Sequence, residues 1–212
     1  MTPDGKHVVT GSRDHTASIW LLSTGKHVRS LQGQNGHFLK GNHRGEVTSV
    51  CVTPDGKHVV TGQYSAAGGS ATAHIWLLSK GTYVGTLEGH SSGVLSVCVT
   101  PDGKHVVTGS WDNTARIWLL SDGSHVRTLQ GHTSVVTSVC VTPDGKHVVT
   151  GSWDKTARIW LLSDGSHVRT LEGHTSTVNS VCVTPDGKYV VTGSGQDSGD
   201  SSHDNTTRIW AL

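Results

Sequence analysis

One unit is written into this sequence five times over, and that repetition narrows the available folds more than any other feature. The tetrapeptide Thr-Pro-Asp-Gly begins at Thr2, Thr53, Thr100, Thr142 and Thr184, and an Ile-Trp pair ends at Trp20, Trp76, Trp118, Trp160 and Trp210. From Thr100 to Thr142 and from Thr142 to Thr184 the interval is 42 residues. A period of that length fits a four-stranded sheet repeated as the blades of a propeller. Residues 1–212 are therefore expected to form a single repeat domain, with units near 1–33, 43–89, 90–131, 132–173 and 174–212.

Each unit reads as four short β runs, a to d, divided by turn residues. In the third unit the runs are Val94 to Thr100, Lys104 to Ser110, Thr114 to Leu120 and His125 to Gln130, with Asp102-Gly103 and Asp122-Gly123 between them. Asp-Gly supplies the positive φ that a tight hairpin needs, so the runs should follow one another as an antiparallel meander. Segments such as Val97-Cys98-Val99 and Ile117-Trp118-Leu119-Leu120 are apolar without clean alternation, so both faces of each sheet must be covered. The first unit begins at run b and the fifth stops after run c. The expectation is an all-β propeller of about five blades and 18 strands, its first and last blades incomplete: a fragment of a longer array or an open ring.

These residues resemble the WD40-repeat family over essentially the whole chain. The resemblance implies that each blade is braced by a tetrad: a His before run a, a Ser or Thr on run b, an Asp in the b–c turn and a Trp on run c. The third unit supplies His90, Thr108, Asp112 and Trp118, the fourth His132, Thr150, Asp154 and Trp160, and the fifth His174, Thr192, Asp204 and Trp210. The second unit has His43, Thr61 and Trp76 but Ser70 in the acidic place, and the first has Thr10, Asp14 and Trp20 with no upstream His. Those two blades should be less well braced. The dipeptide that names the family is also altered, since Leu follows Trp118 and Ala follows Trp210.

Composition and spacing weigh against several functions. Lys plus Arg total 17 against 16 Asp plus Glu, with no basic block, so a nucleic-acid partner is not expected. No apolar run is long enough for a membrane span, and Met-Thr-Pro-Asp-Gly-Lys lacks a secretion signal, so a soluble, cytoplasmic or otherwise intracellular protein is expected. Asn205-Thr206-Thr207 fits a glycosylation pattern but has no meaning without secretion. The 15 histidines include strand positions that accept Tyr in other units (Tyr189, Tyr83), which is unlike a metal ligand. Asp197, Asp200, His203 and Asp204 lack calcium-loop spacing. Cys51, Cys98, Cys140 and Cys182 stand at corresponding places on separate units and read as small buried hydrophobes in a reducing compartment. A His, a hydroxyl and an Asp in one unit suggest a hydrolase, yet the set recurs in three units with Thr inside the core, which is structural. No cofactor or catalytic residue is expected.

Function is expected at one end of the molecule, the top, which carries the b–c turns and d-to-a crossovers. Relative to the 42-residue unit, Gln34 to Asn42 adds nine residues, the Gln63 to Ala71 region five and the Gly195 to His203 region eight, all at that end. Residues 94–135 and 136–177 differ at four positions, Leu95/Thr137, Asn113/Lys155, Gln130/Glu172 and Val135/Thr177, again all at that end. The resemblance implies partner contacts at three top positions per blade. These are Glu46, Gly93, Val135 and Thr177; Thr48, Leu95, Thr137 and Asn179; and Arg13, Trp111, Trp153 and His203. Phe38, the sole Phe, is a further candidate in the first insertion. The chain reads as a scaffold or adaptor for a peptide or protein domain within a multiprotein assembly. The alternatives are a partial, non-functional repeat array and, behind it, an enzyme with a site at the propeller top.

Overall fold

The computed structural model describes residues 1–31, 45–64, 71–195 and 204–212, and every regular element among them is a β-strand. The first sheet holds β1 (His7–Gly11), β2 (Ala17–Leu21) and β3 (His27–Leu31), and the second β4 (Glu46–Val52), β5 (His58–Tyr64), β6 (Ala71–Leu77) and β7 (Thr82–His90). The third holds β8 (Val94–Val99), β9 (His105–Ser110), β10 (Ala115–Leu119) and β11 (His125–Leu129). The fourth holds β12 (Val136–Val141), β13 (His147–Ser152), β14 (Ala157–Leu161) and β15 (His167–Leu171). The fifth holds β16 (Val178–Val183), β17 (Tyr189–Ser194) and β18 (Thr207–Ala211). Strands pair antiparallel in chain order within each sheet, which is the expected array of about five blades with three-stranded sheets first and last.

The Thr-Pro-Asp-Gly turns form for a local reason. The Thr100 hydroxyl donates to Asp102 Oδ1 at 2.6 Å and accepts the His105 N–H at 2.9 Å, while Gly103 takes φ 69°. A side chain there would be strained, so the turn fixes Gly and with it the register of β8 against β9. At the opposite end, the b–c turns place His15, Asn113 and Lys155 at φ near 70°, a conformation that Asn tolerates and Lys rarely adopts.

Blades stack through one repeated contact. A Gly on the second strand lies against two Val of the next blade's innermost strand: Gly11 on Val47 and Val50, Gly62 on Val94 and Val97, Gly109 on Val136 and Val139, Gly151 on Val178 and Val181. Around each contact sits a cluster built from two blades, such as Val107, Ala115, Ile117 and Leu129 with Val136, Val139, Val148 and Trp160. Each apolar side chain so buried contributes roughly 1.5–3 kcal/mol. The fifth blade lacks such a cover. Nothing described lies within 4 Å of a Cβ built on Gly193, and Ile209 is 69% exposed where its counterpart Ile117 is 0% exposed.

Within a blade the hydrogen bonds run from core to loop. Trp118 Nε1–H donates to Thr108 Oγ1 at 2.9 Å, that hydroxyl meets His90 Nε2 at 2.7 Å, and His90 Nδ1 meets Asp112 Oδ2 at 2.7 Å. A carboxylate only accepts, so Nδ1 donates to it, and the threonine hydroxyl, having taken the indole proton, donates to Nε2. The indole N–H, the threonine hydroxyl and both histidine nitrogens of this relay are thereby partnered. The same distances recur through Trp160, Thr150, His132 and Asp154, and through Trp210, Thr192, His174 and Asp204. Burial raises the Asp112 and Asp154 carboxyls, but hydrogen bonds from the histidine and a threonine outweigh it and hold both well below the usual range.

The second blade solves the problem differently. His43 and Ser70 lie outside the described residues, and Trp76 Nε1–H donates to Thr61 Oγ1 at 2.9 Å. His74 stands where the later blades have Arg116, Arg158 and Arg208. It is buried, with Nε2 3.0 Å from Thr72 Oγ1 and 3.2 Å from Gln63 Oε1, and Nδ1 3.2 Å from Thr86 Oγ1. Burial lowers its pKa to about 4. In the first blade Trp20 keeps its bond to Thr10 at 2.8 Å, but the pair is solvent-exposed.

Two predictions follow from this frame. Gly109→Ala forces a methyl to within 2.8–2.9 Å of Val136 and Val139 and should cost about 1–3 kcal/mol in urea unfolding, whereas Gly193→Ala should be neutral or slightly stabilising. Equal losses at both sites would contradict the stacking contact. On acidification two losses should separate. A His with a depressed folded pKa leaves the unfolded chain to bind the proton first, so stability falls from pH 6.5 down to 4, by about 2 kcal/mol between pH 6.5 and pH 5. The depressed tetrad carboxylates contribute stability that is present above their ordinary 3.8 and lost only below it. His74→Gln should flatten the first decline and leave the second; an unchanged pH 7 to pH 5 slope would assign it elsewhere.

Candidate interaction surface

The top end is tied to the strands beneath it. The Ser110 hydroxyl donates to the Ser92 carbonyl at 2.8 Å, and the Trp111 N–H donates to the Gly93 carbonyl at 2.9 Å. In the next blade Ser152 reaches Ser134 at 3.1 Å and Trp153 reaches Val135 at 3.0 Å. Each b–c turn is thus fastened to the loop that enters the innermost strand, and both tryptophans leave the turn from a fixed backbone.

Across blades, these side chains meet. Trp111 and Trp153 pack edge to face with ring centroids 4.7 Å apart and planes at 78°. Tyr64 stacks on Trp111 from the other side at 5.8 Å and 27°. All three rings are half-buried, so a row of aromatic surface crosses blades two, three and four. The row continues in the first blade as an ion pair, Arg13 Nε to Glu46 Oε2 at 3.5 Å, with the Arg13 side chain 90% exposed. Tyr64 was not among the sequence candidates. It occupies the Trp111 position of its unit, but the five-residue insertion after it removes the adjacent Asp that marks that position elsewhere. Gly93 belongs to the same feature, because a side chain there would collide with the Tyr64 ring.

Several expected contact residues lie elsewhere than anticipated. Val135 is 5% and Thr177 7% exposed, so these two are packing groups and not exposed contacts. The Thr177 hydroxyl donates to the Gly195 carbonyl at 2.8 Å. Thr48 and Thr137 use their hydroxyls on the next blade, donating to Val94 and Val178 carbonyls at 2.6 and 2.5 Å. Leu95, at the same position, is half-buried, and Asn179 is exposed beside the uncovered fifth blade. Phe38 and His203 lie outside the described residues.

The tetrad offers no reactive hydroxyl: Thr108, Thr150 and Thr192 are fully buried and accept the indole N–H. Among the described residues no group of three or more His, Cys, Asp or Glu could hold a metal ion, and no helix is long and apolar enough to cross a membrane. A cleft of about 410 Å³ lies between blades one and two at the bottom end, lined by Pro3, Asp4, Asp55 and Leu78 among others, away from the aromatic row. Among the described residues the top surface carries a row of rings. The cysteines are free thiols; Cys51, Cys98 and Cys140 are half-buried against the interblade clusters and Cys182 is exposed, less buried than expected.

Comparison with known families agrees with this architecture. The profile described as WD domain, G-beta repeat matches residues 1–20, 25–76, 81–118, 123–160 and 165–211. No curated protein matches the chain. Repeats of this type generally mediate protein–protein interaction. With five matched segments spanning nearly all 212 residues over five stacked β-sheets, the chain belongs to the WD40-repeat family.

Proposed function

We propose that this chain is a protein-binding scaffold whose top face recognises a peptide or protein domain, with Trp111 and Trp153 as its anchors and Tyr64 beside them. The observation that carries the reading is the contiguous aromatic row across three blades, at the end where the nearly identical units differ. Aromatic side chains on a rigid frame are the residues that dominate binding energy at protein interfaces, since they bury large area at little entropic cost. Among the described residues the three rings are partly exposed and the tetrad hydroxyls are buried in structural hydrogen bonds, which supports a binding role over an enzymatic one. A near-neutral charge supports a protein partner over a polyanion. Four free thiols support an intracellular site of action. The exposed Arg13–Glu46 pair at the edge of the row would act as a polar rim, setting orientation more than affinity.

The test is affinity capture from cell extract by the wild-type chain and by a Trp111→Ala/Trp153→Ala variant. Partners seen with the wild type should be lost from the variant, and for any one of them purified, Kd should weaken at least ~30-fold. The variant should unfold within a few degrees of the wild type, because both rings are half-exposed. An unchanged partner set and Kd with an intact fold would remove the aromatic row as the binding site.

A further inference from the structure

The four interblade clusters inside the chain are copies of one contact. The forward face of the leading blade gives a valine of strand b, an alanine and an isoleucine of strand c and a leucine of strand d. The rear face of the following blade meets them with valines of strands a and b and a tryptophan of strand c. In three of the four, the leucine that follows strand c of the rear face, Leu78, Leu120 or Leu162, packs on as well.

Two half-contacts are left over. Blade five turns outward Val191 paired with Ile209, as blade four turns Val149 paired with Ile159 toward its neighbour. Blade one turns outward Val8 paired with Trp20, as blade four has Val148 paired with Trp160 on its rear face, and Leu22 stands where Leu162 does. Their burial is incomplete to match. Ile159 is 3% exposed but Ile209 69%; Val148 and Trp160 are buried, but Val8 and Trp20 are only half-buried and Leu22 is 49% exposed. Blade one also has Ser18 in the place of Arg116, Arg158 and Arg208, so no charged side chain stands among these residues.

We propose that the chain self-associates head to tail, with Val8, Trp20 and Leu22 of blade one in one copy laid over Val191, Gly193 and Ile209 of blade five in the next. Contiguous apolar surface of this kind marks an interaction site. A second copy fits it because it carries the complementary half of a contact that the chain already makes four times. A face paired with its own kind brings tryptophan against tryptophan, or glycine and isoleucine against the same, and neither is the contact that these surfaces are shaped for. The interface is heterologous: each copy receives on one face and gives on the other, so association continues until it closes as a ring or extends as a filament. The first sheet brings no strand a to the contact, so it has only part of an internal one and should reverse on dilution.

Sedimentation velocity of the purified full chain over a range of concentrations reads the association. Wild type should pass from one copy to two or more as concentration rises. Ile209→Arg and Leu22→Arg each put an unpaired cation into the contact and should weaken self-association at least ~30-fold. Both side chains are exposed in the single chain, so circular dichroism should show an unchanged fold. Mixed in equal amounts, the two variants should form a one-to-one dimer and nothing larger, since only the intact rear face of Ile209→Arg and the intact forward face of Leu22→Arg can meet. Misfolded protein could not produce that recovery. Trp111→Ala/Trp153→Ala, altered at the top, should associate as wild type does. A wild type that stays a single copy at every concentration would overturn the proposal and leave the two faces to a partner of another kind. So would a single variant that dimerises by itself, which would show a face pairing with its own kind, a mixture that fails to associate, or loss of association in the top-face variant.

Discussion

The contact between a strand-b glycine and two valines of the next blade sets the spacing on which everything else depends. With no side chain on Gly62, Gly109 or Gly151, the neighbouring innermost strand comes in until Val94, Val136 or Val178 almost touches the backbone. A close-packed interior tolerates little change in that distance. The top of the molecule inherits it, where Tyr64, Trp111 and Trp153 are near enough to form one row.

The tetrads transmit that order outward. A buried indole at one end and a turn carboxylate at the other are joined through Thr108 and His90, so the loop cannot move without leaving a buried polar group unpaired, at a cost of about 1–3 kcal/mol. The Ser91 N–H also donates to Asp112 Oδ2 at 3.1 Å, so the crossover loop is held as well as the turn. Blades three, four and five have this bracing, and two of the three aromatic residues rise from blades three and four. The second blade keeps the Trp76–Thr61 bond and adds a buried network of Gln63, Thr72, His74 and Thr86, in which burial holds the His74 pKa down.

Much of the fold was legible because its determinants are local. Thr100, Asp102 and Gly103 build their turn from bonds within six residues, and its recurrence gives strand length, order and blade count. The tetrad partners were legible through resemblance, because His90 and Asp112 have no sequence relation that spacing alone would reveal. What stayed hidden depends on distances between blades. Val135 and Thr177 vary and so read as exposed, yet both are buried. Tyr64 was masked by the insertion beside it. The left-handed Lys155 was equally hidden, for only the turn geometry and not its residue type requires it.

A repeat multiplies whatever residue it carries into a column, and the position of that residue in the blade decides whether its copies meet. On the outer strands, His125 and His167 each bond to a threonine three residues on in their own blade, and nothing joins one to the other. On the innermost strands, the N–H groups of Val97, Val139 and Val181 donate to Ser49, Ser96 and Ser138 of the preceding blade, which holds consecutive blades in register. At the top, the b–c turns carry rings that meet across blades, and an aromatic in three successive blades becomes a continuous surface. Identical units therefore yield isolated groups or a continuous aromatic surface according to the interblade distance at each level. That distance is set by glycines that take no direct part in any of them.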